Sequence, residues 1–88
     1  MTNNYTIFHA IWDNDISFVK NYIASGQDIN VRNEHESTLL IFASCWKRTV
    51  SAELLKQAGA DLEAINDGGY NYKVYEEAAK NVDGNLLR

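Results

Sequence analysis

The chain has 88 residues, 45% of them hydrophobic and 23% charged. That length supports a single core, and the composition is that of an ordinary globular chain rather than a disordered one. Eight basic side chains against twelve acidic ones leave a formal charge of −4, which argues against nucleic acid or an anionic membrane as the main ligand.

The chain opens on MTNNYTIFHAIWDND, without the basic start and small-residue cleavage site of a signal peptide, and no apolar run approaches the roughly 18 residues of a membrane span. The single cysteine, Cys45, has no internal disulfide partner and fits a reducing compartment. A cytoplasmic location is therefore expected. Dense apolar residues over 6–13 (TIFHAIWD) predict a first short helix. A second is predicted over 16–25 (ISFVKNYIAS), where Ile16, Val19, Tyr22 and Ile23 share one helical face, with Asp15 as N-cap. Gly26 follows where a left-handed residue ends a helix without a Cβ clash. The alternating DINVRN then suits a hairpin-like finger better than a third helix. Ser37 or Thr38 caps a further helix over 38–46 (TLLIFASCW), and Gly59 closes the helix that comes next. DLEAIND and NDGGYNY form a second finger, and VYEEAAKN offers a last helix.

These signals recur at an interval of 33 residues. Without a gap, Ile7 aligns with Leu40, Ala10 with Ala43, Tyr22 with Leu55, Gly26 with Gly59, Asp28 with Asp61, Ile29 with Leu62 and Asn33 with Asn66. The unit is helix, helix, finger. After residue 66 the frame weakens, and Ala78-Ala79 match Ala43 only if about two residues are inserted.

With this unit the chain resembles the ankyrin repeat family. SGQDIN at 25–30 and AGADLEA at 58–64 are similar to the family's glycine-alanine-aspartate-valine-asparagine-alanine stretch, with Gly59-Ala60-Asp61 a literal match. Thr38, Leu40 and Ala43 fit the start of its first helix. Leu39 and Ile41 replace the family's proline and histidine, Tyr5 replaces its threonine, and Asn14 stands where a helix-linking glycine belongs. The resemblance implies an all-α fold: a short ankyrin-repeat solenoid of about two and a half helix-turn-helix repeats with finger-like turns. One domain would fill residues 1–88, with repeat one at about 5–30, repeat two at about 38–63 and a capping half-repeat at about 71–88. So short a stack is expected to be marginally stable.

Catalytic chemistry finds little support. His9, His35 and Cys45 have no metal-ligand spacing and no acid placed to orient a base; His9 reads as a helix residue tucked against the finger. Glu76 and Glu77 are adjacent on a helix and point apart. Glu34 and Glu36 flank His35 in the finger, a weak metal signal. Gly68-Gly69 lacks the strand and lysine of a phosphate loop. No enzyme activity, metal or cofactor is expected.

Aromatic residues carry the stronger signal. The resemblance places Trp12 and Asp13, and one unit later Cys45 and Trp46, on the groove-facing ends of the first helices. Two tryptophans there imply an anchor for a protein partner; the alternative is that Trp12 shields the open end of the stack and Trp46 packs over the finger. The resemblance also implies that the finger tips add Arg32, Glu34, His35 and Ser37, then Ile65, Asp67 and Tyr70, as contact residues. Tyr75 is assigned to the core of the cap. The expected function is binding another protein through the concave groove and fingers, as an inhibitor or immunity protein that neutralises a partner toxin. The alternative is an adaptor or structural subunit of a larger assembly. Self-association through the open ends fits either.

Overall fold

A computed structural model describes the backbone of residues 6–85 and the side chains of residues 6–78. Its elements are α1 (Ile7–Trp12), α2 (Ile16–Ala24), α3 (Leu39–Cys45), α4 (Thr49–Gln57) and α5 (Tyr72–Asn85). Among the described residues all regular structure is helical apart from one isolated bridge.

Helix starts are set by short polar side chains that accept from otherwise unpaired backbone N–H groups. The Asp15 carboxylate accepts from Phe18 N at 3.2 Å, the Thr38 hydroxyl from Ile41 N at 3.2 Å, and the Asn71 amide oxygen from Val74 N at 3.2 Å. α1 uses a reciprocal cap, in which Thr6 Oγ1 accepts from His9 N and His9 Nδ1 from Thr6 N. His9 is thus an exposed capping partner of its own helix, on the groove that the first finger also lines. α4 follows Arg48, whose side chain makes no capping bond.

The helices form two rows. α3 lies between α1 and α5 in the first, while α2 and α4 pack together in the second, each also against its own first-row helix. Ala10 and Ala43, both with zero exposure, keep side-chain volume low in the α1 and α3 rods and permit close approach. Around them Ile7, Ile11, Val19, Leu39, Leu40, Ala52, Leu55 and Ala60 complete the core.

The 33-residue interval returns as backbone geometry. Positive φ occurs in pairs one interval apart: Asn14 (60°) and Lys47 (60°), Gly26 (79°) and Gly59 (94°), Glu36 (61°) and Gly69 (83°). Turn bonds pair likewise. Asn33 Oδ1 accepts from His35 N and Ser37 N, as Asn66 Oδ1 does from Gly68 N and Tyr70 N. Asp28 and Asp61 each accept from the backbone two residues on.

Residues 25–38 contain no helix; a single antiparallel bridge, Arg32 to Thr38, closes the first finger. Neighbouring fingers are clamped together. Asn30 Oδ1 accepts from Asp61 N at 2.9 Å, the Ile65 carbonyl accepts from Arg32 Nη1 at 2.7 Å, and the His35 carbonyl from Asp67 N at 3.1 Å.

The interval also survives into the third unit. Asn71 and Val74 repeat the Thr38 and Ile41 cap without the expected two-residue insertion, so Glu76, rather than an alanine, stands at the position of Ala43. Lys56 Nζ donates to Glu76 at 2.8 Å, lies 3.6 Å from Glu53 and sits over the Tyr72 ring, which ties α4 to α5. α5 then continues unbroken to Asn85, past the VYEEAAKN segment, and residues 86–88 of the expected capping half-repeat lie outside the described residues.

Candidate functional site

An open groove of about 960 Å³ runs between α1, α3 and the first finger. Its aromatic floor is built by two helices with one pattern. Phe8 and Trp12 are four apart on α1, and Phe42 and Trp46 are four apart at α3 and its C-cap, so each pair shares one helix face. Because α1 and α3 are neighbours, the pairs meet across the row. Phe8 and Phe42 make an edge contact with centroids 5.3 Å apart, and Trp12 and Trp46 another at 4.4 Å and 80°. The phenylalanines are half-buried, whereas Trp12 and Trp46 keep 44% and 43% of their surface exposed.

Arg48 fixes the outer pair. Its Nε donates to the carbonyls of Ile11 and Trp12, its Nη2 to that of Trp12 at 2.7 Å and its Nη1 to that of Trp46 at 3.0 Å. The guanidinium carbon also lies 5.6 Å from the Trp12 ring centroid. One cation therefore closes the carbonyl ends of α1 and α3 together, where helix dipoles favour positive charge.

The finger forms the opposite wall, with Val31, Arg32, Glu34 and His35. Arg32 Nη1 is shared between the carbonyls of Glu36 and Ile65, each at 2.7 Å. His35 sits between two carboxylates, with Nε2 4.0 Å from Glu34 and Nδ1 3.9 Å from Asp67. Tyr22 also lines the groove and donates its hydroxyl to the Asp28 carbonyl at 2.6 Å. Burial, and then the Asp28 charge, push the Tyr22 hydroxyl above the ordinary tyrosine range. The Cys45 thiol lines the groove too, and burial raises it above the ordinary thiol range, which disfavours the reactive thiolate.

Of the residues singled out in the sequence, Trp12, Arg32, Glu34, His35, Cys45 and Trp46 line this one groove. Asp13 is exposed at the C-cap of α1, beside the floor. Asp67 stands at the rim through His35. Ile65 and Tyr70 are half-exposed on the second finger, away from the groove lining, and Tyr70 rests edge-on against Tyr75. Ser37 is 8% exposed, and its backbone serves the Asn33 turn. Phe8 and Phe42 escaped the sequence reading, although their fixed distance of four residues before each tryptophan was a visible signal. Among the described residues no group of three His, Cys, Asp or Glu side chains could hold a metal ion, and no helix is long and apolar enough to cross a membrane.

No protein-family model and no curated protein matches the sequence. Among solved structures, the fold is similar to that of a chain in the complex of a predatory endopeptidase from Bdellovibrio bacteriovorus with an immunity protein, with a TM-score of 0.75 and 22% identity. The likeness covers 98% of this chain and 46% of that one, so this chain spans about half the length of the solved chain. At that identity the shared property is the fold.

Proposed function

We propose that the chain is a short ankyrin-repeat stack that binds another protein through its concave groove and finger loops, and inhibits it as an immunity protein neutralising a partner toxin. The observation that carries this reading is the Trp12–Trp46 pair. Two indoles held edge to face, half in solvent and fixed from behind by Arg48, form a preorganised apolar anchor. Such anchors dominate interface energetics. The likeness to a chain from a complex containing an immunity protein supports the inhibitory role. In this reading Trp12, Trp46 and Cys45 make the floor contacts, Arg32, Glu34 and His35 the wall contacts, and Asp13, Asp67, Ile65 and Tyr70 the periphery.

The test is co-expression with a toxin encoded beside this gene. The expected result is a one-to-one complex and protection of the host cell. A Trp12→Ala, Trp46→Ala variant that stays helical should lose protection, with affinity down about 30-fold or more. Undiminished protection by that variant rejects the groove. An adaptor reading draws on the exposed Leu62, Ile65 and Tyr70 outside the groove lining; it requires two partners bound at once.

A further inference from the structure

We infer that Asn33 is a partner-binding residue of the groove, its side-chain Nδ2 donating to a main-chain carbonyl of the segment that lies on the indole floor. This rests on the groove reading above and adds the hydrogen-bonding chemistry of the occupant. Asn33 lines the groove. Its amide is held in one orientation, because Oδ1 accepts from His35 N at 2.9 Å and from Ser37 N at 3.0 Å. With the oxygen so engaged, the hydrogens of Nδ2 are left to donate elsewhere, and no described residue accepts from them.

One interval later the same amide is satisfied within the chain. Asn66 Oδ1 accepts from Gly68 N and Tyr70 N, and Asn66 Nδ2 donates to the Tyr75 hydroxyl at 2.9 Å. The residue 33 positions before Tyr75 is Phe42, which lines the groove with Asn33 and has no oxygen to offer. The first finger thus keeps the donor of the second without its acceptor, and keeps it beside an aromatic floor. A bound segment that shuts water away from Nδ2 must supply an oxygen in return. Arg32 and Glu34 flank Asn33 with opposite charges and the whole chain carries −4, so the position draws no anion and a neutral acceptor suits it. The main chain of an extended segment brings one with every residue.

The experiment pans a displayed library of random peptides against the full chain, then titrates the enriched sequences against variants of confirmed helicity. Asn33→Asp keeps the oxygen that accepts from His35 and Ser37 but removes the donor. Phe42→Tyr supplies the hydroxyl that Tyr75 gives Asn66, so the donor is taken up internally. Binding about tenfold weaker is expected in Asn33→Asp, and weaker binding at an undiminished denaturation midpoint in Phe42→Tyr. Asn66→Asp, the same change on the second finger, should leave binding unchanged; equal losses in Asn33→Asp and Asn66→Asp overturn a direct contact. The Asn33→Asp effect should persist when every oxygen-bearing side chain of the peptide is replaced by alanine. If it vanishes, the acceptor is a side chain and the main-chain carbonyl is overturned. Peptides that need Trp12 and Trp46 but bind Asn33→Asp as tightly as the parent overturn the role of Asn33 and leave the groove standing. Peptides indifferent to Asn33→Asp and to the Trp12→Ala, Trp46→Ala variant, or no enrichment at all, overturn both.

Discussion

The guanidinium of Arg48 reaches back 36 residues to the carbonyl of Trp12, donating from Nε at 2.9 Å and from Nη2 at 2.7 Å. A side chain at the threshold of α4 thereby terminates α1, and its third nitrogen terminates α3. Arg48→Lys keeps the charge but loses the planar fork, so it should cost about 1–2 kcal/mol, and Arg48→Ala about 2–3 kcal/mol, given charge-assisted bonds of this kind. Urea unfolding measures both. A lysine variant as stable as the parent would show that charge alone suffices.

Among the described residues, the buried hydroxyls of Ser44 and Ser51 have no hydrogen-bond partner, and Ser51 has zero exposure. Removing an unpaired buried hydroxyl recovers its desolvation cost and adds helix propensity. Ser51→Ala should therefore raise stability by about 1 kcal/mol, read as a higher denaturant midpoint at constant slope. A loss of stability would mean that the oxygen has a partner.

The left-handed pairs give opposite signs for matched substitutions. At Gly59 an added Cβ meets nothing within 4 Å, so Gly59→Ala isolates the backbone penalty at φ +94° and should cost about 1–2 kcal/mol. Lys47 already occupies φ 60°, and Lys47→Gly should be neutral or stabilising by up to about 1 kcal/mol. Equal effects at the two sites would contradict the assigned φ values.

Alkaline stability depends on Lys56 and Tyr22. Lys56 is held above the ordinary lysine range, first by its hydrogen bond to Glu76, against the opposing effect of burial, and Tyr22 is raised first by burial. In both, the folded state binds the proton more tightly than the unfolded chain. Their contribution is complete below the unfolded values of about 10 and is lost as pH climbs through the raised folded ones. Stability should fall above about pH 10, less steeply in Lys56→Gln and in Tyr22→Phe. Denaturation midpoints between pH 8 and about 11 decide it; identical slopes in parent and variants would refute the linkage.

A core this small predicts a modest thermal midpoint that rises when the partner is present. Calorimetry of the isolated chain giving a midpoint well above about 70 °C would contradict it.

What the sequence disclosed was local. Asp15 and Thr38 as caps and Gly26 and Gly59 as left-handed stops depend on residues within a few positions of each, and the 33-residue interval is the recurrence of such local signals. The positive φ of Glu36, matched by Gly69, was hidden because no side chain announces it. Long-range contacts were hidden as well. Nothing near Arg48 marks it as the partner of Trp12, and nothing near His35 indicates that Asp67 will stand beside it. The resemblance implied Ser37 as a finger-tip contact residue, but it lies buried beside the Arg32–Thr38 bridge. In the third unit the Ala78-Ala79 pair misled the alignment. The frame is set by the Asn71 cap, a weaker signal in the sequence than two alanines.

The clamps between fingers join Asn30 to Asp61 and Arg32 to Ile65, offsets of 31 and 33 residues. Each clamp uses groups whose position is fixed within one module and received by the next. Duplication of the first module in the gene would therefore supply Asn30 and Arg32 again and leave the existing clasps undisturbed, whereas a copy of the second would bring Glu63 and Ile65 in their places. A duplication one codon short would misplace the clasp at its junction, since each depends on an offset of 31 or 33 residues.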